Sequence, residues 1–542
     1  MSDWTSLLNS SSLLPPLSEQ DASSLARQLK QVTGLEAFRR SIASAHHALF
    51  FLAHDATAGS QSGQKQLGIL YADRDPLLDG FSGAERGVQA GGKSMRLLSC
   101  PTTYANAIAL HRALPFTGPQ VLGLHTSAGC GDRLGLATPG HVRAIRKTQI
   151  APIFAQQSIR EMERSQRTPE DVMNDATWGV FQEGWRGGYG ADADHLKDTP
   201  SIDACVAAGF TFYTFDPRDH VDDAAHSDDL AALRDKFAAL PWDRLAGADG
   251  VPMDAARMRR AYLGSSVVQG APEIQLREDR LLRAACKYAS AMAYVAELYR
   301  HLVLKIGDRP FEVEVSVDET DTTTSPEEHL FVAGELKRLG VTFVSLAPRY
   351  VGRFEKGVDY IGDLTQFEAQ VAQHAAIARA CGPYKLSIHS GSDKFSIYPI
   401  VARLTRGLVH LKTAGTSYLE ALRTIAVTDP QLFRDILDFA FEHYDEDKAT
   451  YHVSADPALA PHGRDLGDRD LVTVLDNFHA RQMLHVTFGS VLTSQDSQGR
   501  WLFRDRLFAA LQSDPEAYYR AVEAHFDRHL QAFQQVLAGR DQ

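Results

Sequence analysis

The chain has 542 residues, 44% hydrophobic and 23% charged, a balance that excludes disordered, collagen-like and coiled-coil classes and allows one large α/β barrel or two to three ordinary domains. Fifty-six basic against 68 acidic residues give a net charge of −12 with no long Lys/Arg run, which argues against nucleic acid or an anionic membrane surface as partner. The five cysteines (Cys100, Cys130, Cys205, Cys286, Cys381) are scattered without a C-x-x-C, so neither a disulfide framework nor a cysteine-bound zinc is expected, and a reducing compartment is.

The opening residues lack the basic and continuous apolar regions of a secretory signal. The apolar run Ala48-Leu-Phe-Phe-Leu-Ala53 falls well short of the roughly 20 residues that span a bilayer. A soluble, cytoplasmic protein is expected. Residues 1–115 read as an N-terminal α+β extension: a helical segment within the first 45 residues, then a small region with Gly/Ser-rich turns at 58–63 and 90–92.

From residue 116 to 460 short apolar runs end in small, polar or charged residues and alternate with helical periodicity. The runs lie at 121–127, 190–195, 209–216, 311–319, 341–347, 384–389, 407–413 and 451–456. Eight is the number that closes a (β/α)8 TIM-type barrel, in which reactive side chains sit at the C-terminal ends of the strands. Residues 220–305, with Asp222, Asp223, Asp228 and Asp229 and an amphipathic segment from Glu278 to Leu302, are too long for an ordinary βα connection. They read as a helical insertion serving as a lid or a homo-oligomer contact. Residues 461–542 read as C-terminal helices packed on the barrel.

In chain order, the first chemistry-bearing string is Ser127-Ala-Gly-Cys-Gly-Asp-Arg133. It offers backbone N–H groups, a hydroxyl and a guanidinium, a cradle for hydroxyls or a carboxylate, and matches no nucleotide-binding fingerprint. Asp192-Ala-Asp194-His195 puts two carboxylates and an imidazole at one strand end. Alternation along 311–319 sets Glu312, Glu314, Ser316 and Asp318 toward the lumen and Val313, Val315 and Val317 toward the helices, with Glu319 on the rim. Lumenal carboxylates must be paired, protonated or metal-bound. Arg349 and Lys394 are cations placed for an anionic substrate group. His389, in Ser387-Ile-His-Ser-Gly-Ser-Asp-Lys394, His410 with Lys412 on one strand face, and His452 add imidazoles. Histidine with carboxylate suits a divalent zinc, manganese, iron or nickel ion.

Together these strings resemble the tagaturonate epimerase family. The resemblance is carried by Ala151-Pro-Ile-Phe-Ala-Gln-Gln-Ser158, Asp175-Ala-Thr-Trp-Gly179, Gly190-Ala-Asp-Ala-Asp-His-Leu-Lys197, Glu314-Val-Ser-Val-Asp-Glu-Thr320, Ser387-Ile-His-Ser-Gly-Ser-Asp-Lys-Phe-Ser-Ile-Tyr-Pro399 and Lys412-Thr-Ala-Gly-Thr-Ser417. It implies a divalent-metal-dependent isomerase interconverting D-tagaturonate and D-fructuronate, with Asp194 as proton acceptor, Glu319 as proton donor, and His195 and His389 as metal ligands. His452 and His410 both qualify as third ligand by position. His452 is preferred because Lys412, beside His410, is better suited to the substrate, with Ser127, Arg349 and Lys394 as its further contacts. The two keto acids differ at C4, one carbon too far from the C2 ketone for simple enolisation, so retro-aldol cleavage and re-addition is the expected route. A class II-like aldolase or isomerase of sugar acids, and a catalytically silent sugar-binding protein, are the alternative readings.

Overall fold

The computed structural model describes residues 7–55, 65–90, 92–264, 266–267, 274–413 and 415–539. The first six residues, the turn at 58–63 and Gly91 lie outside them.

Eight parallel strands close a barrel in chain order: β1 (Ser127–Cys130), β2 (Ala151–Ser158), β3 (Gly190–Leu196), β4 (Phe212–Phe215), β5 (Glu312–Val317), β6 (Ser345–Pro348), β7 (Lys385–Ile388) and β8 (Val409–Thr413). His410 of β8 stands opposite Ser127 of β1 and shuts the ring. The α/β barrel expected from the sequence is therefore present, with two changes in its strand list.

The run at 121–127 becomes strand only at its last residue, and β2 was passed over. β2 begins Ala-Pro and ends in Gln156, Gln157 and Ser158, all buried, so it shows neither clean alternation nor a continuous apolar run. Residues 451–456 are not a strand; they follow the short turn Lys448–Thr450 without regular structure. Their alternation is real, but β8 already pairs with β1, so the closed ring offers no edge for another strand.

On β5 the valines enter the apolar layer between barrel and helices while Glu314 points into the lumen, as alternation requires. The excursion between β4 and β5 carries helices Leu230–Ala238 and Ala255–Tyr262 and the 29-residue helix Glu278–Ile306. That long helix buries Ala285, Ala289, Met292 and Val295, and the small alanines among them let it lie close against its neighbours.

Before the barrel, an antiparallel sheet (Leu35–Ala37, Ala43–Ala45, Ala48–Asp55, Lys65–Tyr71, Ala84–Ala90 and Lys93–Pro101) buries Phe50, Leu67 and Ile69 on one face and Leu49, Phe51 and Leu70 on the other. Beyond the barrel, the helix Pro515–Ala538 packs on Thr138–Ile145. Gly140 permits that approach, since a Cβ there would sit 2.7 Å from the Tyr519 carbonyl oxygen. Among the described residues no helix is long and apolar enough to cross a membrane.

Candidate active site

Polar side chains fill the barrel in layers. At the N-terminal end Glu312 accepts the N–H groups of Leu122 and Gly123. Just above, Ser127 Oγ meets His410 Nδ1 at 3.0 Å and accepts from Lys385 Nζ at 3.0 Å. Burial pushes the His410 imidazole down to about 3, which keeps it neutral. Ser127 and His410 are thus interior groups below the mouth, and neither lines the cavity there.

The next layer centres on Lys412 of β8. Its Nζ lies 2.9 Å from Asp192, 2.6 Å from Asp194, 2.9 Å from Glu314 and 2.6 Å from Thr214 Oγ1, and its side chain is 3% exposed. Burial alone would push this ammonium down, but the Asp192, Asp194 and Glu314 carboxylates together hold it well above its ordinary value. Burial likewise favours a neutral Asp194, and Lys412, followed by His195 and His389, overrides it and keeps the carboxylate ionised. Gln156 of the overlooked β2 donates to the second oxygen of Asp194 at 3.1 Å.

Asp194 and His195 are adjacent in sequence, and neighbours on a flat strand face opposite ways. A register shift between β3 and β4, together with φ 55° at His195, turns both side chains toward the mouth. Such a bulge with a non-glycine residue in the left-handed region is uncommon and concentrates at functional sites. His195 then places Nε2 3.7 Å from Asp194 and Nδ1 3.1 Å from Asp216. Across the mouth, His389 sits between Glu314 (2.6 Å) and Asp318 (3.0 Å), its ring centroid 5.0 Å from that of His195. Glu319 on the rim is held by Arg160 at 3.0 Å.

Burial lowers both imidazoles' affinity for a proton, yet Asp194, Glu319 and Asp216 hold His195 up at about 10, and Asp318 and Glu314 hold His389 up at about 9. Burial raises Glu319, but His195 and then Arg160 bring it down to about 2. A raised imidazole contributes stability that is complete below its unfolded value of about 6.5 and is lost as pH climbs through its folded value. The melting temperature of chelator-treated protein should therefore fall between pH 6.5 and 10, and a His195→Gln variant should show a shallower slope. Stabilisation by an added divalent ion should grow over the same range, because ligation must displace those protons. Scanning fluorimetry at stepped pH checks both slopes; a chelated protein that gains stability toward pH 10 would contradict the paired imidazoles.

One atom each from Asp194, His195 and His389 lie within 4.8 Å of one another, and His195 forms a second such group with Asp216 and Glu319. Both histidines have carboxylates behind them, the arrangement that orients imidazole ligands, and a nitrogen, nitrogen and oxygen donor set suits a divalent transition metal. The residues present fit such an ion. A third grouping, Asp393 with His525 and His529, does not: the Asp393 N–H already occupies His529 Nε2 at 2.9 Å, and Arg481 holds the Asp393 carboxylate at 3.0 Å. That network ties the turn after β7 to the helix Pro515–Ala538.

Three expected residues lie elsewhere. His452 is exposed on the irregular segment after Lys448–Thr450 and does not join the His195/His389 cluster, so the sequence-based choice of third ligand is not supported by its position. Lys394 is fully buried with Nζ donating to the carbonyls of Glu355, Val358 and Ser392, which makes it a brace for the 355–358 loop and not a substrate contact. Arg349 donates to the Asp318 carbonyl at 3.1 Å and does not line the cavity. Arg133, from the glycine-rich string, stacks on Phe488 at 3.7 Å and pairs with Glu161 at 2.7 Å, so it buttresses the wall from behind.

The mouth opens into a cavity lined by Asp194, His195, His389 and Lys412 and by Arg160, Lys356, Tyr451 and His485; the last four were not singled out from the sequence. Its mixture of fixed charges suits a small polar molecule.

Residues 38–533 match the family model described as tagaturonate epimerase. A tagaturonate/fructuronate epimerase of Thermotoga maritima is 44% identical over 431 residues, 80% of this chain and 85% of that protein. A native crystal structure of fructuronate-tagaturonate epimerase UxaE from Cohnella laeviribosi is 36% identical, covers 95% of this chain and 99% of that one, and matches with a TM-score of 0.84. A glycerol complex of the same enzyme gives the same values.

Proposed function

The chain belongs to the tagaturonate epimerase family, and from that premise we propose that it is an isomerase that interconverts D-tagaturonate and D-fructuronate by inverting C4. The observation that carries the reading is a pair of carboxylates that flank His195 at the barrel mouth, Asp194 buried in the cavity wall and Glu319 half-buried on the rim. A protein that merely bound a sugar would gain nothing from two such groups beside a ligand-competent imidazole pair.

His195 and His389, with Asp194 supplying an oxygen, are the residues that would hold a divalent ion. When bound, that ion supplies Lewis acidity at the ketose oxygens. The rest falls to side chains. Asp194, kept ionised by Lys412, is in the right state to accept the C4 hydroxyl proton. The C3–C4 bond then breaks, its electron pair remaining with the C1–C3 fragment as an enediolate while C4 becomes an aldehyde. Re-addition to the opposite aldehyde face re-forms the bond, and Glu319 returns a proton to the new C4 oxygen. For that step Glu319 enters protonated, and the proton taken up by Asp194 passes back to it through solvent at the open mouth before the next turnover.

A proton NMR time course on D-tagaturonate in heavy water tests both levels. Conversion to D-fructuronate with the C4 hydrogen retained is expected, since that hydrogen stays on carbon throughout. Absence of conversion would overturn the function; deuterium entering C4 at the rate of epimerisation would overturn only the cleavage route.

A further inference from the structure

The cations around the cavity differ in what already satisfies them. Lys412 has three carboxylates, Arg160 has Glu319, and Arg133 has Glu161. Lys356, in the loop after β6, is partly exposed to the cavity and donates to Ser390 Oγ at 2.8 Å, but among the described residues it forms no ion pair. An ammonium on a cavity wall without a counterion is an incomplete arrangement.

A second, independent donor points into the same corner. His485 is fully buried, and its Nε2 accepts from Arg133 Nη2 at 3.2 Å, so the imidazole proton resides on Nδ1. That Nδ1 has no partner. The neighbouring residue is Gly357, with φ +75°; a Cβ built there would lie 3.3 Å from His485 Nδ1 and no closer than 3.5 Å to anything else. Glycine therefore keeps a side chain from crowding the buried donor, which lines the same cavity wall as the unpaired ammonium.

We propose that Lys356 Nζ and His485 Nδ1–H form the subsite for the terminal carboxylate of the hexuronate, at the end of the sugar opposite the ketone. The assignment rests on the proposed function for the identity of the substrate and adds how the enzyme distinguishes a sugar acid from a neutral ketose. The carboxylate supplies the counterion Lys356 lacks and the acceptor His485 lacks. Arg349, Lys394 and Lys412, by contrast, are already engaged.

Calorimetric binding and steady-state kinetics of the metal-loaded enzyme test this, with D-tagaturonate and with D-tagatose, which carries a hydroxymethyl group in place of the carboxylate. Lys356→Met should weaken D-tagaturonate binding and raise its KM by about 10- to 100-fold, the size of one lost charge-assisted hydrogen bond. Its kcat should change only a few-fold, D-tagatose binding should be unaltered, and Lys356→Arg should recover part of the loss. Lys356→Gln provides the same comparison should the methionine variant not fold. A uronate affinity equal to wild type in either neutral variant, or an equal loss for both sugars, would overturn the subsite. Calorimetry needs no turnover, so Lys356-dependent uronate binding in an enzyme that does not epimerise would leave the subsite standing and remove the proposed function.

Discussion

Replacing Glu319 by Gln, or Asp194 by Asn, is expected to lower kcat by at least about 10²-fold, the usual contribution of a general acid or base. Each change keeps side-chain shape and removes only the ionisable group. Glu319→Gln retains a partner for Arg160 through its amide oxygen, so the fold should survive intact. Asp194→Asn has a second effect, because Asp194 also belongs to the Lys412 cluster and supplies an oxygen to the group within reach of a metal. Metal content should therefore drop in Asp194→Asn and stay near wild type in Glu319→Gln. Wild-type turnover in either variant would remove that residue from the chemistry.

The second large effect concerns stability. Lys412→Met should destabilise the fold by about 3–5 kcal/mol, the cost of removing one partner from a buried ion cluster. Asp192, Asp194 and Glu314 would then share the lumen without their common counterion. Asp194 and Glu314 are held below their ordinary values by Lys412, so their contribution is present above the unfolded carboxyl range and disappears as pH falls through the folded values. In Lys412→Met burial, no longer opposed by the ammonium, pushes those carboxyls up, so in the variant they protonate between neutrality and pH 4 and the penalty shrinks there. Urea denaturation at pH 7 and pH 4 measures the difference. Equal penalties at the two pH values would mean that the cluster is not held by charge.

The barrel was legible because most of its strands are short apolar runs with polar C-terminal ends, and Asp194, His195, His389 and Glu319 were legible because they stand at those ends. β2 escaped because Pro152 and the paired glutamines break both periodic patterns. Residues 451–456 misled for the opposite reason: alternation marks a chain that could pair, and only ring closure decides that it does not. Lys394 and Lys356 make the same point about side chains. Lys394 lies in a motif-like string yet spends all its donors on backbone carbonyls, whereas Lys356 sits in an aperiodic loop with no local pattern. Which lysine faces the cavity depends on the paths of the loops after β6 and β7, and those are set by tertiary contacts.

All eight strands are present once Thr413 has been made, but the cavity is not. His485 and Arg481 arrive some seventy residues later, and His525, which grips the turn carrying Asp393, later still. The strands of the ring thus all precede, along the chain, residues that complete the cavity wall and brace its turns. The helix Pro515–Ala538 adds Phe526, Leu530 and Phe533 to the apolar layer around the barrel and holds Asp393 through His525, so the turn beside the cavity leans on a segment far beyond β8 in the chain.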